Sequence, residues 1–289
     1  MWHSTLSLVL ALSLPPAAGG PSARPVTVPL RLAGHLPVVR VTVDGGGPYD
    51  FAIDTGSTTT IVDARLARDR SLAGAGTLTV VSAGGPRQAP RARVARLSVG
   101  GVDLGAAAPL VMDLAGLRSV DRRIAGVLGQ DVLSRINLLV DYRAKTLTLD
   151  PGGVWSRELR GVGAAVPFDL TDGRPVVEVR ARGGRTLRLA LDTAAEICTL
   201  FERAPGVLSG LRRGHWQPWT VETYLGTTPA AVGELVSFDV GSARLDRSVG
   251  AMLPARRGDR SREDGLLPLS LFAAVYLDNE RGEMVILRN

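Results

Sequence analysis

The sequence predicts an all-β (mostly) protein, built as two duplicated β lobes around a central cleft, and three observations carry that expectation. An ordered series of short segments recurs at an offset of 138 residues. Within each copy, apolar and polar residues alternate in short runs punctuated by Gly, Pro and Asp. Each copy also closes one apolar strand with an aspartate, Asp54 in the first and Asp192 in the second.

The repeat comes first, because a missed period misassigns the whole fold. Pro29-Leu30-Arg31-Leu32, Pro37-Val38-Val39-Arg40-Val41 and Phe51-Ala52-Ile53-Asp54-Thr55 follow one another in the first copy. Pro167-Phe168-Asp169-Leu170, Pro175-Val176-Val177-Glu178-Val179 and Leu189-Ala190-Leu191-Asp192-Thr193 follow in the same order in the second. The ends of the copies correspond too. Gly126-Val127-Leu128-Gly129 leads to Asn137–Asp141 and Thr146–Leu149, as Gly265-Leu266-Leu267-Pro268 leads to Val275–Asp278 and Met284–Leu287. Chance gives one such coincidence; an ordered series reads as duplication. The expected division is a leader over 1–23, an N-terminal lobe over 24–153 and a degenerate C-terminal copy over 154–289, linked around Pro151-Gly152-Gly153.

Within a copy, Val39–Val43 alternates and ends in Asp44-Gly45, a hairpin signal, and Val177–Ala181 before Gly183-Gly184 repeats it. Arg93–Val99 and Leu235–Val240 read as further alternating strands. Helical signal is confined to 61–70 and 130–136.

Composition narrows the function classes. With 289 residues and 45% hydrophobic content the chain is large enough for two packed cores, and 21% charge gives no sign of global disorder. The net charge of +6 is spread along the chain, and Lys145 is the only lysine. The densest basic cluster, Arg256, Arg257, Arg260 and Arg262, is interleaved with Asp259, Glu263 and Asp264, as in a solvated loop. Aromatics are 4% and are not interleaved with it, so no nucleic-acid partner is expected. Residues 6–18 form an apolar run followed by Ala17, Ala18, Gly19 and Gly20, the pattern of a secretory signal, although no Lys or Arg precedes it. Periplasmic or secreted location follows, with no membrane attachment after signal removal. Cys198 is the single cysteine, which excludes an intramolecular disulfide framework.

An acidic residue closing an apolar strand is costly to bury unless hydrogen-bonded. The turns after it, Thr55-Gly56-Ser57 and Thr193-Ala194-Ala195, offer hydroxyls and backbone N–H groups that can hold a carboxylate. If the two turns meet at a pseudo-twofold axis, the carboxylates lie about 3 Å apart and share one proton. One can then act as general base on a water while the other donates to a scissile carbonyl.

Ala52-Ile53-Asp54-Thr55-Gly56-Ser57 and Val127-Leu128-Gly129, in that order, resemble the two signatures of a retropepsin-type or pepsin-type aspartic peptidase lobe. The resemblance extends over roughly 27–289 once the second copy is counted, with two acid-protease-type lobes in one chain. It implies that Asp54 and, by repeat alignment, Asp192 are catalytic. It also implies that Thr55 and Thr193 pair across the lobes and that Gly56 and Ser57 support the Asp54 carboxylate. The family covers its cleft with hairpin flaps, which puts Gly84 and Gly85 at one tip and Tyr224 and Gly226 at the other. A polypeptide substrate is implied, with no cofactor and no metal, in a monomer; pairing of first lobes in a homodimer is the other arrangement.

Three departures mark the second copy. Ala194 and Ala195 stand where the signature has Gly and Ser, and Pro268 stands in place of Gly129. A Cβ in the turn and a missing hydroxyl should hold Asp192 less well, and proline cannot donate an N–H. The alternative reading is thus a peptide-binding or structural protein that keeps the cleft without the chemistry. Other residues offer less. His35 and His215 lack partners at metal-ligand spacing, Gly45-Gly46-Gly47 leads into no helix start with Lys-Ser/Thr, and Ser209 is misplaced for a nucleophile elbow. Trp216 and Trp219, near Tyr224, fit either core filling or a substrate-facing wall. Cys198 reads as a buried thiol.

Overall fold

The computed structural model describes residues 24–82, 85–159, 161–202, 208–223, 226–246, 248–254 and 262–287. The leader over 1–23, Gly84, Tyr224 and the basic residues Arg256, Arg257 and Arg260 lie outside the described residues. The chain is mostly β, as its alternating runs predict.

The alternation in 36–53 folds as a hairpin. Strand Leu36–Val43 runs antiparallel to Gly46–Ile53, with Val39 opposite Phe51. Asp44 and Gly45 turn the chain with φ of 47° and 74°, the left-handed pair that a tight hairpin twist demands. Strand Ile124–Leu128 lies parallel to Gly46–Ile53, Leu128 beside Ile53, and antiparallel to Ile61–Asp63. Gly126 permits this approach, since a Cβ there would run into the Phe51 ring.

The same pairings recur beyond residue 153. Arg174–Ala181 runs antiparallel to Thr186–Asp192, turning through Gly183 and Gly184 at φ 99° and 88°. Gly265–Pro268 lies parallel to Thr186–Asp192, Leu267 beside Leu191, and antiparallel to Cys198–Phe201.

Some elements differ from the sequence reading. Within 61–70 only Ala64–Asp69 is helical, capped by the Asp63 carboxylate on the Arg65 N–H, while Ile61–Asp63 is strand. Within 130–136 the helix is Gln130–Leu133. The strand expected over 235–240 is two: one ends at Leu235 and another spans Phe238–Val240, because the Val236 N–H turns to the Leu211 carbonyl. Short helices Ala115–Val120 and Val154–Glu158 carry no apolar period of their own. The second follows the Pro151-Gly152-Gly153 link, where Asp150 accepts from the Val154 and Trp155 N–H groups at 2.9 Å each.

Each half buries its own cluster, one around Phe51, Ile53 and Leu97, the other around Leu189, Leu191 and Phe238. Between them strand Asn137–Asp141 pairs antiparallel with Ala274–Asp278, Leu138 opposite Leu277, so one sheet is continuous from half to half. Alternate residues of these strands feed the two clusters on one face. The opposite face packs Leu139, Ala274, Tyr276 and Val285 under Trp155 and Leu159. Among the described residues, no helix is long and apolar enough to cross a membrane.

Candidate active site

Asp54 directly follows the strand Gly46–Ile53, and its N–H donates to the Leu128 carbonyl at 3.0 Å. The turn folds back so that Asp54 Oδ1 accepts from the Gly56 and Ser57 N–H groups at 2.9 and 3.0 Å. The second turn does the same. Asp192 Oδ1 accepts from the Ala194 and Ala195 N–H groups at 2.7 and 2.9 Å. The expectation that alanine would loosen this grip is overturned. Neither turn needs a left-handed residue at that position, so a Cβ costs Ala194 no backbone strain.

The two turns interlock. The Thr55 hydroxyl donates to the Leu191 carbonyl at 2.7 Å and accepts from the Thr193 N–H at 3.0 Å. The Thr193 hydroxyl donates to the Ile53 carbonyl at 2.7 Å and accepts from the Thr55 N–H at 3.1 Å. Both threonines are fully buried, and each bond crosses between the halves, so the residues before Asp54 and Asp192 are fixed on one another. Gly56 is glycine for space rather than for φ: a Cβ there would stand 2.6 Å from the Asp192 carboxyl carbon.

Asp54 and Asp192 are 4% and 6% exposed. Burial first, and then the Asp54 carboxylate, push the Asp192 pKa from 3.8 up to about 7, against the pull of the Ala194 and Ala195 N–H groups and of Arg174. Two carboxyl groups on interlocked turns, one of them disfavoured as an anion, can give a proton to one oxygen while taking one from another.

Around the first turn, the Thr60 N–H and hydroxyl both donate to Asp131 Oδ1, at 2.8 and 2.6 Å, and the Gly129 N–H donates to Thr60 Oγ1 at 3.1 Å. Gly129 must lack a side chain, since a Cβ would stand 2.7 Å from the Thr59 carbonyl oxygen. The Ser57 hydroxyl does not reach the carboxylate as the resemblance implies. It donates to the Thr59 carbonyl at 2.9 Å, and Ser57 supports Asp54 through its N–H alone.

Both expected flap segments are hairpins. Gly74–Ser82 and Gly85–Ala92 turn with Ser82 opposite Gly85, and Arg212–Thr223 and Gly226–Leu235 turn with Thr223 opposite Gly226. Val80 of the first hairpin packs on an apolar cluster that includes Leu36, Ile61 and Val127, and Ala194 packs on the same cluster. Trp216 is core, its ring lying against Gly233, whereas Trp219 is 58% exposed. Cys198 is a buried free thiol whose pKa burial pushes up to about 12.

Two residues near the carboxylates escaped the sequence reading. Tyr142 is half-buried and packs against both clusters, where burial and then the Asp192 charge raise its pKa. Arg174 opens the strand Arg174–Ala181 and forms an ion pair with buried Glu263. Its signal was available, because Arg174 occupies the repeat position of Leu36.

A comparison with curated proteins returns no match. The family model described as Aspartyl protease matches residues 39–132, a span that contains Asp54, its turn, the hairpin over 74–92 and Gly129 but stops short of Asp192. That match, which spans about a third of the chain, and the mostly β architecture support an aspartyl protease family.

Proposed function

We propose that this is an exported aspartic endopeptidase, a monomer of two duplicated lobes, 24–153 and 154–289, that hydrolyses peptide bonds with Asp54 and Asp192 around one water. The observation that carries the reading is the reciprocal pair of threonine bonds, which fixes both aspartate turns on each other. With its raised pKa, Asp192 holds the shared proton below about pH 7, which leaves Asp54 as the base. Asp54 takes a proton from the water as its oxygen attacks the scissile carbonyl carbon. Asp192 gives its proton to the carbonyl oxygen, and a tetrahedral diol forms. Collapse re-forms the carbonyl, breaks the C–N bond and returns a proton to the leaving amine. The protein groups suffice for these steps, so no metal or cofactor is invoked.

Export rests on the apolar leader at 6–18 and the small residues behind it. The test uses protein recovered from the periplasm or medium, with an amino terminus expected between residues 19 and 24; Met1 on that material removes the export part. The recovered protein should degrade an unfolded protein at pH 4–6, be blocked by a statine-type inhibitor, and lose at least about a hundredfold in rate on Asp54→Asn with its fold intact. Full activity in that variant refutes the mechanism. Peptide binding without hydrolysis in the wild type would favour the non-catalytic alternative.

A further inference from the structure

The two halves present different chemistry beside the aspartate turns. In the first, Ala33 sits opposite Leu36 across a tight hairpin, and both join Ile61 and Ile124 in the apolar cluster that Ala194 and Val80 pack against. In the second, the hairpin with the matching register sets Thr171 opposite Arg174. The strand register that pairs Ile61 with Val127 pairs Thr199 with Leu266. Ile124, two residues before Gly126, is matched by Glu263, two residues before Gly265. An all-apolar quartet thus has an all-polar counterpart: Thr171, Arg174, Thr199 and Glu263.

These four are built in, not surface accidents. Thr171, Thr199 and Glu263 are 8%, 6% and 0% exposed. Glu263 is fixed by its neighbour, since the Asp264 N–H donates to the Arg188 carbonyl at 2.6 Å and the Arg188 N–H donates back to Asp264 Oδ2 at 2.9 Å. The Arg188 guanidinium in turn donates to the Thr171 hydroxyl at 2.7 Å. Arg174 bonds Glu263 through one terminal nitrogen, while its Nε is buried with no partner among the described residues. Its side chain keeps 20% exposure against none for Glu263, so Arg174 is the member of the pair that a ligand can meet. It lies near the aspartate turns: Arg174 acts electrostatically on Asp192, and the adjacent Gly173 faces Thr58, just past the Asp54 turn.

We propose that Arg174, braced by Glu263, is a specificity-determining residue that receives an acidic substrate side chain on its guanidinium, where the first half has only closed apolar core. The proposal rests on the peptidase reading for its substrate and deepens it. Arginine suits this role because its planar fork has donors to spare after one is given to Glu263, and a carboxylate is the acceptor that strengthens most on it. Glu263 holds the fork in place and is itself closed to solvent, so a basic side chain has no carboxylate to meet there.

Four peptides that carry Leu or Glu on each side of one scissile bond test this at about pH 5.5, where a peptide Glu is largely ionised. The wild type should cleave a mixed Leu/Glu peptide at least about tenfold faster, as kcat/KM, than the Leu–Leu peptide, the value of one charge-assisted hydrogen bond. The double variant Arg174→Leu, Glu263→Ile installs the first half's own pair, removes both charges of the ion pair together, and should reverse the order. Reduced-bond versions of the same peptides read the same discrimination as binding affinity, independently of turnover. A wild type that favours Leu–Leu, or a preference for Glu that survives the double variant, overturns the proposal. Cleavage without discrimination sinks the subsite and keeps the peptidase. Discrimination in binding without cleavage sinks the peptidase and keeps the subsite.

Discussion

Replacing Asp192 with asparagine should flatten the pH dependence of stability as well as remove activity. The Asn side chain can still accept the Ala194 and Ala195 N–H groups through its oxygen, so the turn keeps its bonds. What disappears is a buried carboxyl whose pKa rises from 3.8 to about 7 on folding. Between those values the folded chain binds more protons than the unfolded one, so Asp192's contribution is fully present below pH 3.8 and is lost as pH rises through about 7. Three pKa units correspond to about 4 kcal/mol, an upper bound on what the wild type loses between acid and pH 8 through this group. Urea midpoints for both proteins at pH 5 and pH 8 give a double difference in which every group not coupled to Asp192 cancels, so that it reports the Asp54–Asp192 pair. The wild type should lose more stability than Asp192→Asn over that interval, and the variant should be the more stable of the two at pH 8. Parallel losses in the two proteins would mean that Asp192 does not fold as a buried, proton-holding carboxyl, and the assignment of the shared proton would fall with it.

Two further outcomes follow from the turns. Thr193→Val removes a buried donor to Ile53 and a buried acceptor for Thr55, so unfolding should cost about 2–4 kcal/mol less, read from urea midpoints. Thr193→Ser should restore most of that, and no loss in the valine variant would show that the halves do not depend on this lock. Gly56→Ala drives a Cβ into the Asp192 carboxyl and should abolish hydrolysis, whereas Ala194→Gly with Ala195→Ser should leave the rate within about twofold, because both N–H bonds already exist. A large gain in that double variant would contradict the hydrogen bonding seen at Asp192.

Much of this was legible because hairpins and strand-end aspartates leave local marks. Asp44-Gly45 and Gly183-Gly184 announce tight turns through residues that tolerate positive φ, and alternation gives the strands. What resisted reading depended on neighbours distant in sequence. Nothing local says that the Ser57 hydroxyl turns to Thr59, or that Val236 breaks its strand to reach Leu211. The reason for Gly56 lies 136 residues away, in the carboxyl of Asp192, the same separation as the Thr55–Leu191 bond. Arg174 was visible as a mismatch with Leu36, but its meaning needed Glu263, which sequence puts in an ordinary charged loop.

The second lobe's departures, read singly, look like decay; read together they are consistent. Pro268 cannot donate the N–H that Gly129 gives to Thr60 Oγ1, but the position matching Thr60 is Cys198, a buried thiol packed among apolar neighbours that calls for no such donor. Leu269, buried in the same cluster, stands where Gln130 reaches back to the Thr55 carbonyl. A polar support beneath Asp54 is thus matched by an apolar support beneath Asp192. That exchange agrees with the electrostatics, since a less polar bed raises the cost of charge on Asp192 and favours its holding the proton. Another set of repeat positions changes in the opposite sense, from the apolar cluster of Leu36 and Ile124 to the ion pair of Arg174 and Glu263. Two similar carboxylates become an acid and a base only if their surroundings differ. In this chain the differences fall around the two turns, while the threonine lock that joins them stays symmetric.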